Sequence, residues 1–177
     1  MKIRLESIHD EPFHWQESVV LPIADFDRSD LQGLSPVECE GRIVRIDAGC
    51  LLTARLAWDL EMRCDRCLAA FQESREDRLE VLLVGDPGHA GAGEHELQEE
   101  DFGVMKVEGE VLDTEPLISE QVQLGLPIKP LCRPDCAGLC PGCGADLNHE
   151  PCRCESKPTD PRWAALAALR GRRGEGA

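Results

Sequence analysis

The chain has 177 residues, 42% of them hydrophobic and 4% aromatic, and it carries a formal net charge of −15 at pH 7. This length can form one domain or one domain with a small appendage, and no apolar run approaches the roughly 20 residues that a membrane-spanning helix needs. The acidic charge opposes non-specific binding to nucleic acid, and the scarcity of aromatic rings argues against a stacking surface for single-stranded RNA. We therefore expect a soluble cytoplasmic protein whose charge either suits a basic partner or serves solubility alone.

Alternation of apolar and polar residues predicts strands through the first half of the chain. The clearest strand runs from Leu52 to Arg63, where one parity is apolar along the whole length. It ends at Cys64-Asp-Arg-Cys67, and a returning strand would place this Cys-x-x-Cys motif at or near a hairpin tip. Residues 25–36 are polar and rich in turn formers, which favours a loop or a short helix. The predicted strands are residues 1–8, 13–23, 37–47, 52–63 and 71–84.

The second half of the chain is more varied. Residues 85–101 hold a glycine-rich linker and an acidic run, which together predict an acidic loop, and residues 102–113 indicate another strand. A helix is predicted to begin at Thr114, as its N-cap, and to end near residue 125. Asp160, followed by a proline, predicts the start of a second, C-terminal helix with a narrow apolar stripe.

Six of the ten cysteines fall between residues 132 and 154, where prolines and glycines exclude a regular helix or a central strand. Such a loop needs something to order it, and soft thiolates around a tetrahedral ion do so in closed structural sites. Disulfides would require export into an oxidising compartment, whereas the N-terminus is polar and has no apolar signal region. We therefore predict bound metal, with zinc as the first expectation and an iron–sulfur cluster as the alternative for the same ligands.

The cysteine count allows one or two structural ions, since a closed site needs four ligands. Cys140 and Cys143 would close one site with two other C-terminal cysteines, and the remaining pair could meet the Cys-x-x-Cys motif. The spacing leaves this partition open, and His149 could substitute for one ligand. Cys39 and Cys50 lie in strand-like sequence and are expected to be small core residues. The predicted metal ligands are Cys64, Cys67, Cys132, Cys136, Cys140, Cys143, Cys152 and Cys154.

The chemistry of these residues favours a structural role over a catalytic one. The sequence has no phosphate-binding glycine loop, nucleophile elbow or His-Glu-x-x-His motif, and a catalytic zinc keeps one open position, usually with histidine or carboxylate ligands. A redox role for Cys64 and Cys67 is the rival interpretation. Redox motifs of this kind lie at a helix N-terminus in a strand–helix unit, whereas predicted strands flank this one. We therefore predict no enzymatic activity.

Two segments of the chain together resemble a known bacterial family. The first is Cys64-Asp-Arg-Cys67-Leu68. The second contains Leu126-Pro127, Leu131-Cys132, Cys136, Gly138-Leu139-Cys140-Pro-Gly-Cys143-Gly144, Leu147-Asn148, Cys152-x-Cys154 and Asp160-Pro161-Arg162. In this order the motifs resemble the YceD-like family of large ribosomal RNA subunit accumulation proteins, over residues 35–170. Asp146 stands where asparagine is expected.

The resemblance implies a cytoplasmic, non-enzymatic factor associated with accumulation of the 23S ribosomal RNA and hence with biogenesis of the large ribosomal subunit. Because the chain is acidic, we expect a basic ribosomal protein or assembly factor as the direct partner. Effects on ribosomal RNA would be indirect or local, and we expect no membrane contact. Local RNA contact is expected only at Arg63, Arg66 and the basic C-terminal helix. The alternatives are a zinc-stabilised RNA-binding module and a thiol-redox protein.

The strand count predicts an α+β fold. We expect a mainly antiparallel sheet of five or six strands, which could curl into a partial barrel, with two packed helices. A β-rich domain would cover residues 1–126 and include the acidic loop at 85–101. A cysteine-rich zinc module over residues 127–177 would lie at one end of the sheet, with the C-terminal helix packed on it.

Overall fold

The computed structural model describes residues 1–9, 11–85, 103–107 and 109–154. Within them, most segments of alternating sequence form extended strands, and the segment after residue 113 forms a helix. The strands are β1 (Lys2–Arg4), β2 (Phe13–Val19), β3 (Leu31–Leu34), β4 (Val37–Ile46), β5 (Gly49–Arg63), β6 (Ala70–Gly85), β7 (Val104–Val107) and β8 (Val111–Asp113), and the helix is α1 (Thr114–Gly125).

Six strands form the main sheet in the order β2-β4-β5-β6-β7, with β3 pairing with β5 beside this path. All pairs in this sheet are antiparallel except β6 and β7, which run parallel. The short strands β1 and β8 pair with each other in a separate antiparallel sheet. The prediction of a mainly antiparallel sheet is confirmed, and no pairing among the described strands closes it into a barrel.

One face of the main sheet forms the core, and the other faces solvent. Along β5, Leu52, Leu56 and Leu60 are buried, whereas Arg55 and Asp59 between them are exposed. The alternation extends to β4 and β6 because directly paired residues of neighbouring strands point to the same face. A slip by one residue would exchange the two faces, so burial of these side chains, at roughly 1.5–3 kcal/mol each, fixes the register.

The helix α1 covers part of the buried face. It buries Leu117, Ile118 and Val122 in the core of the sheet. The predicted helix is confirmed, but the predicted N-cap is wrong. Asp113 is the cap, because its backbone is extended and its side chain accepts a hydrogen bond from a backbone N–H of the first turn. Thr114 is the first helical residue and is only 1% exposed.

Three further expectations differ from the structure or lie beyond it. The strand expected at residues 102–113 divides at Gly109, where φ is +80°, and its two parts belong to different sheets. The described residues contain one α-helix and two single-turn 3-10 helices, Leu5–Ser7 and Ile23–Asp25, rather than two packed helices, and the helix expected from Asp160 lies outside them. The acidic loop expected at 85–101 also lies outside them beyond Gly85. In the described part of the chain, no helix is long and apolar enough to span a membrane.

The cysteine-rich segment after α1 meets the sheet at the tip of the β5–β6 hairpin. The N–H of Asp65 donates to the carbonyl of Pro130, and the N–H of Leu139 donates to the carbonyl of Arg66, both at 2.9 Å. These backbone bonds join the segment to the hairpin directly. The proposed domain boundary after residue 126 stays a prediction.

Candidate metal centres

The tip of the β5–β6 hairpin holds the thiols of Cys64 and Cys67, as the sequence predicted. The turn closes through two backbone bonds of 2.9 Å, from Leu68 N to Cys64 O and from Cys64 N to Ala69 O. Leu68 adopts a φ of 61°, which lets the chain reverse in so few residues. The N–H of Arg66 points at the Cys64 sulfur, 3.4 Å away. The turn therefore directs backbone dipoles at a sulfur.

Two cysteines from the segment after α1 join this pair. The resulting group, which we name the first centre, contains Cys64, Cys67, Cys132 and Cys136. The Cys64 and Cys136 sulfurs are 3.8 Å apart, and those of Cys67 and Cys132 are 3.7 Å apart. Arg66 Nη1 donates to the carbonyl of Cys136 at 2.7 Å, which holds the incoming loop against the hairpin. Cys64 has no exposed surface. The apolar side chains that pack against this centre are Phe71, Leu131 and Leu139.

The other four cysteines of the C-terminal segment form the second centre, which contains Cys140, Cys143, Cys152 and Cys154. Cys140 Sγ lies 3.3 Å from the sulfur of Cys152 and 3.7 Å from that of Cys154. Gly144 follows the Cys-Pro-Gly-Cys turn with a φ of +74°, and its N–H donates to the Cys140 carbonyl at 2.9 Å. Cys143 and Cys152 are exposed, so the second centre lies at the surface whereas the first is buried.

In each centre the four sulfurs lie within 4.8 Å of one another, close enough to bind one ion together. Zinc bonds thiolates at about 2.3 Å, and tetrahedral geometry then separates the sulfurs by about 3.8 Å. Neighbouring sulfurs lie 3.7–3.8 Å apart in the first centre and 3.3–4.0 Å apart in the second. A disulfide would bring them to about 2.0 Å, and the cysteines are free thiols. The two groups could therefore each hold a metal ion, and their donors suit a soft cation.

In each centre the surroundings lower the pKa of some thiols and raise the pKa of others. Burial opposes ionisation of Cys64, but hydrogen bonds from backbone N–H groups, that of Cys132 foremost, outweigh it and lower the pKa to about 6. Backbone N–H groups of the second turn, led by that of Cys143, lower the pKa of Cys140 to about 6. Burial raises the pKa of Cys132 to about 12. A cation that binds such a group displaces the remaining protons, so metal binding would be coupled to proton release.

The sequence left the partition of the eight cysteines open, and the structure groups them four and four. The hairpin pair joins the first two cysteines of the C-terminal segment, which was one of the alternatives. His149, which could have substituted for one ligand, belongs to neither group, and its Nδ1 lies 2.8 Å from a carboxylate oxygen of Asp146. Cys39 and Cys50 are buried in the sheet core as expected, and burial raises the pKa of Cys39 to about 11.

Asn148 was named from the sequence only as part of the family motif and was given no role. It belongs to the loop of the second centre, yet its Nδ2 lies 3.5 Å from Cys136 Sγ in the first. The backbone N–H of Asn148 donates to Asp146 Oδ1 at 2.9 Å, so the Asp-x-Asn spacing marks an Asx turn and was a usable signal. Arg66 is exposed and donates through Nη1 to the Cys136 carbonyl, and the local RNA contact expected there stays a prediction.

Fold and site together define a class of protein: an open, mainly antiparallel sheet with two four-cysteine centres beside the tip of its longest hairpin. The chain belongs to the family described as large ribosomal RNA subunit accumulation protein YceD, whose model matches residues 52–170. This range contains all eight cysteines of the two centres. The resemblance seen in the sequence motifs is thereby confirmed.

Curated relatives of the chain occur in mycobacteria. An uncharacterized protein of Mycobacterium tuberculosis is 37% identical over 130 residues, which cover 73% of this chain and 60% of the relative. An uncharacterized protein of Mycobacterium leprae is 30% identical over 135 residues, which cover 76% of this chain and 59% of the relative. The chain thus spans about three fifths of the length of these relatives. No solved structure gives a significant match.

Proposed function

We propose that this protein is a non-enzymatic, cytoplasmic factor that supports accumulation of 23S ribosomal RNA and biogenesis of the large ribosomal subunit. The observation that carries the proposal is the family match across both cysteine centres, since the family description names accumulation of the large-subunit ribosomal RNA. The centres support a non-enzymatic role, because each offers four thiols to one ion and so leaves no position for a substrate.

In this proposal each centre holds one structural zinc ion. Zinc would neutralise part of the thiolate charge and supply a rigid cross-link, which is its usual part in closed four-cysteine sites. The first centre would fasten the segment after α1 to the hairpin tip. The complete burial of Cys64 puts its sulfur out of reach of a substrate disulfide, which disfavours a thiol-redox role.

The proposed direct partner is a basic ribosomal protein or assembly factor. The chain has 34 acidic and 19 basic residues. On the solvent face of the main sheet, the register places Glu38 and Glu76 on either side of Ala57, and Asp59 and Glu61 follow along β5. These four carboxylates are exposed and make that end of the face acidic, with Arg63 as the one basic residue that follows them along β5. Such a surface attracts a basic partner through electrostatic forces that salt weakens.

The ratio of large-subunit to small-subunit ribosomal RNA in cells depleted of this protein tests the function. We expect depletion to lower the ratio and the wild-type chain to restore it. Cys64→Ser/Cys67→Ser, which removes two ligands of the first centre, should not restore it. Cys50→Ala, which removes a buried thiol outside both centres, is the control and should restore it. An unchanged ratio after depletion would contradict the proposed function.

The acidic end of the sheet face has its own test. Glu38→Gln/Glu76→Gln should weaken co-sedimentation with purified large subunits, most strongly at low salt, because both changes remove negative charge from one surface. Glu115→Gln/Glu120→Gln changes the net charge equally on the exposed side of α1 and should have little effect. Equal behaviour of the two double variants would contradict a partner at this face.

A further inference from the structure

The side chain of Asn148 reaches from one centre to the other. Asn148 lies on the loop of the second centre, between Cys143 and Cys152. Its Nδ2 donates toward Cys136 Sγ of the first centre at 3.5 Å. Asn148 therefore reaches from the loop of one centre to a sulfur of the other.

The orientation of the Asn148 amide is fixed by the groups around it. Its Oδ1 accepts from Arg133 Nη2 and from the backbone N–H of Ala137, both at 2.8 Å. Its Nδ2 faces two acceptors, the Cys136 sulfur and Asp146 Oδ1, the latter at 2.7 Å. If the amide were reversed, Nδ2 would face the N–H groups of Arg133 and Ala137, and Oδ1 would face the carboxylate of Asp146. The N–H group is thus committed to the sulfur.

The position of Asn148 depends on the loop that carries it. Backbone bonds from Leu147 N to Gly138 O and from Cys140 N to Ala145 O, at 2.9 and 2.8 Å, hold the start of that loop. An ion at the second centre would hold both of its ends, since Cys143 and Cys152 are two of the four thiols. Metal binding at the second centre would therefore fix the position of Asn148, and with it the hydrogen bond to Cys136 in the first centre.

We propose that Asn148 couples the two centres, so that metal binding at one raises the metal affinity of the other. The inference rests on the proposed zinc occupancy. An ion at the second centre fixes the loop, and the N–H group of Asn148 then stabilises the Cys136 thiolate. Linkage requires that an ion at the first centre favours the second by the same factor. Outer hydrogen bonds to metal ligands change affinity by about 10–100-fold, and sulfur is a weak acceptor, so the expected factor is about tenfold.

Zinc affinity of the full chain, measured by competition with a chelator, tests the coupling as a double-mutant cycle. The wild-type chain should bind two ions. Cys143→Ser/Cys154→Ser disables the second centre, and the affinity of the first should then fall about tenfold. Asn148→Ala should lower the affinity of the first centre by a similar factor. The combined variant should show no further loss, because both changes remove the same contact.

Two more variants separate the coupling from a general weakening of the loop. Asn148→Asp keeps an oxygen for the Ala137 N–H, cannot donate to the sulfur and adds a negative charge beside Asp146, so its loss should equal or exceed that of Asn148→Ala. His149→Ala alters the next side chain, whose ring is bonded to Asp146, and should leave the affinity unchanged. With cobalt as the probe, the thiolate-to-metal absorption band of the first centre should shift in both Asn148 variants and stay in place in His149→Ala.

The outcomes distinguish this inference from the metal proposal beneath it. Losses that multiply in the combined variant, or unchanged zinc affinity in both Asn148 variants, would overturn the coupling and leave zinc occupancy standing. A wild-type chain that takes up no zinc would overturn the metal proposal and the coupling together. Asn148 would be established as a positioning residue if Asn148→Ala and Cys143→Ser/Cys154→Ser each lowered the zinc affinity of the first centre about tenfold and the combined variant lost no more.

Discussion

Gly138 and Gly144 offer a matched pair of positions for testing how the cysteine loop meets the hairpin. Both have a φ of +74°, so alanine at either position must adopt the left-handed conformation. A Cβ atom at Gly144 meets nothing within 4 Å, whereas one at Gly138 would lie 3.0 Å from the carbonyl oxygen of Arg66. Gly138→Ala and Gly144→Ala therefore share a backbone cost and differ in a steric one.

The size of each effect follows from these contacts. The left-handed conformation costs a residue with a side chain roughly 1–2 kcal/mol, which is the expected loss in unfolding free energy for Gly144→Ala. Gly138→Ala adds overpacking of roughly 1–3 kcal/mol against a backbone group that cannot rotate away. The Arg66 carbonyl also accepts the Leu139 N–H at 2.9 Å, so its displacement weakens the join between loop and hairpin. The total for Gly138→Ala is about 2–5 kcal/mol.

Urea denaturation at a buffered concentration of free zinc measures both losses. The zinc concentration must be fixed, because an ion that binds the folded chain raises its apparent stability. Gly138→Ala should unfold at a clearly lower urea concentration than Gly144→Ala with an unchanged slope. Equal losses in the two variants would refute the close approach of Gly138 to Arg66.

Two further changes test the sheet. Gly41→Ala should cost about 1–3 kcal/mol in unfolding free energy, because a Cβ there would overlap the ring of buried Trp15. Tryptophan fluorescence during urea denaturation measures this loss. A gain in stability would contradict the packing of Trp15 against Gly41. Asp30→Asn tests an ion pair: hydrogen bonds from Arg28 hold the Asp30 pKa below its usual value. The pair therefore contributes above the unfolded pKa of about 3.9 and is lost as pH falls through the lower folded pKa. Asp30→Asn should cost up to about 1 kcal/mol in unfolding free energy at pH 7 and nothing below the folded pKa. Thermal denaturation at a series of pH values measures this cost. A cost that does not change with pH would contradict the ion pair.

The long hairpin could be predicted because its signal is local. Alternation along residues 52–63 is a property of neighbouring side chains, and it agrees with the buried and exposed residues of β5. The strand at Leu31–Leu34 was missed, and a loop or short helix was expected there. Its four residues are too few to show alternation, and it is a strand because it pairs with β5. The parallel pairing of β7 likewise depends on a distant strand.

The candidate site shows the same division between local and distant information. The eight cysteines could be named because thiol density and Cys-x-x-Cys spacing are visible in the sequence. Their grouping could not be derived, since Cys67 and Cys132 are 65 residues apart and meet only in the folded chain. The role of Asn148 was hidden for the same reason, because its contact with Cys136 crosses from one loop to another.

The two centres also differ in the length of chain that each must close. Sulfurs that meet in the second centre belong to residues 12 and 14 apart, whereas those in the first belong to residues 65 and 72 apart. Closing the longer loop costs an unfolded chain about 1.5 kcal/mol more. The second centre can therefore close within one short loop, whereas the first closes only where the hairpin tip and the segment after α1 meet. A chain that has closed the first centre has thus already brought its β5–β6 hairpin and its C-terminal segment together.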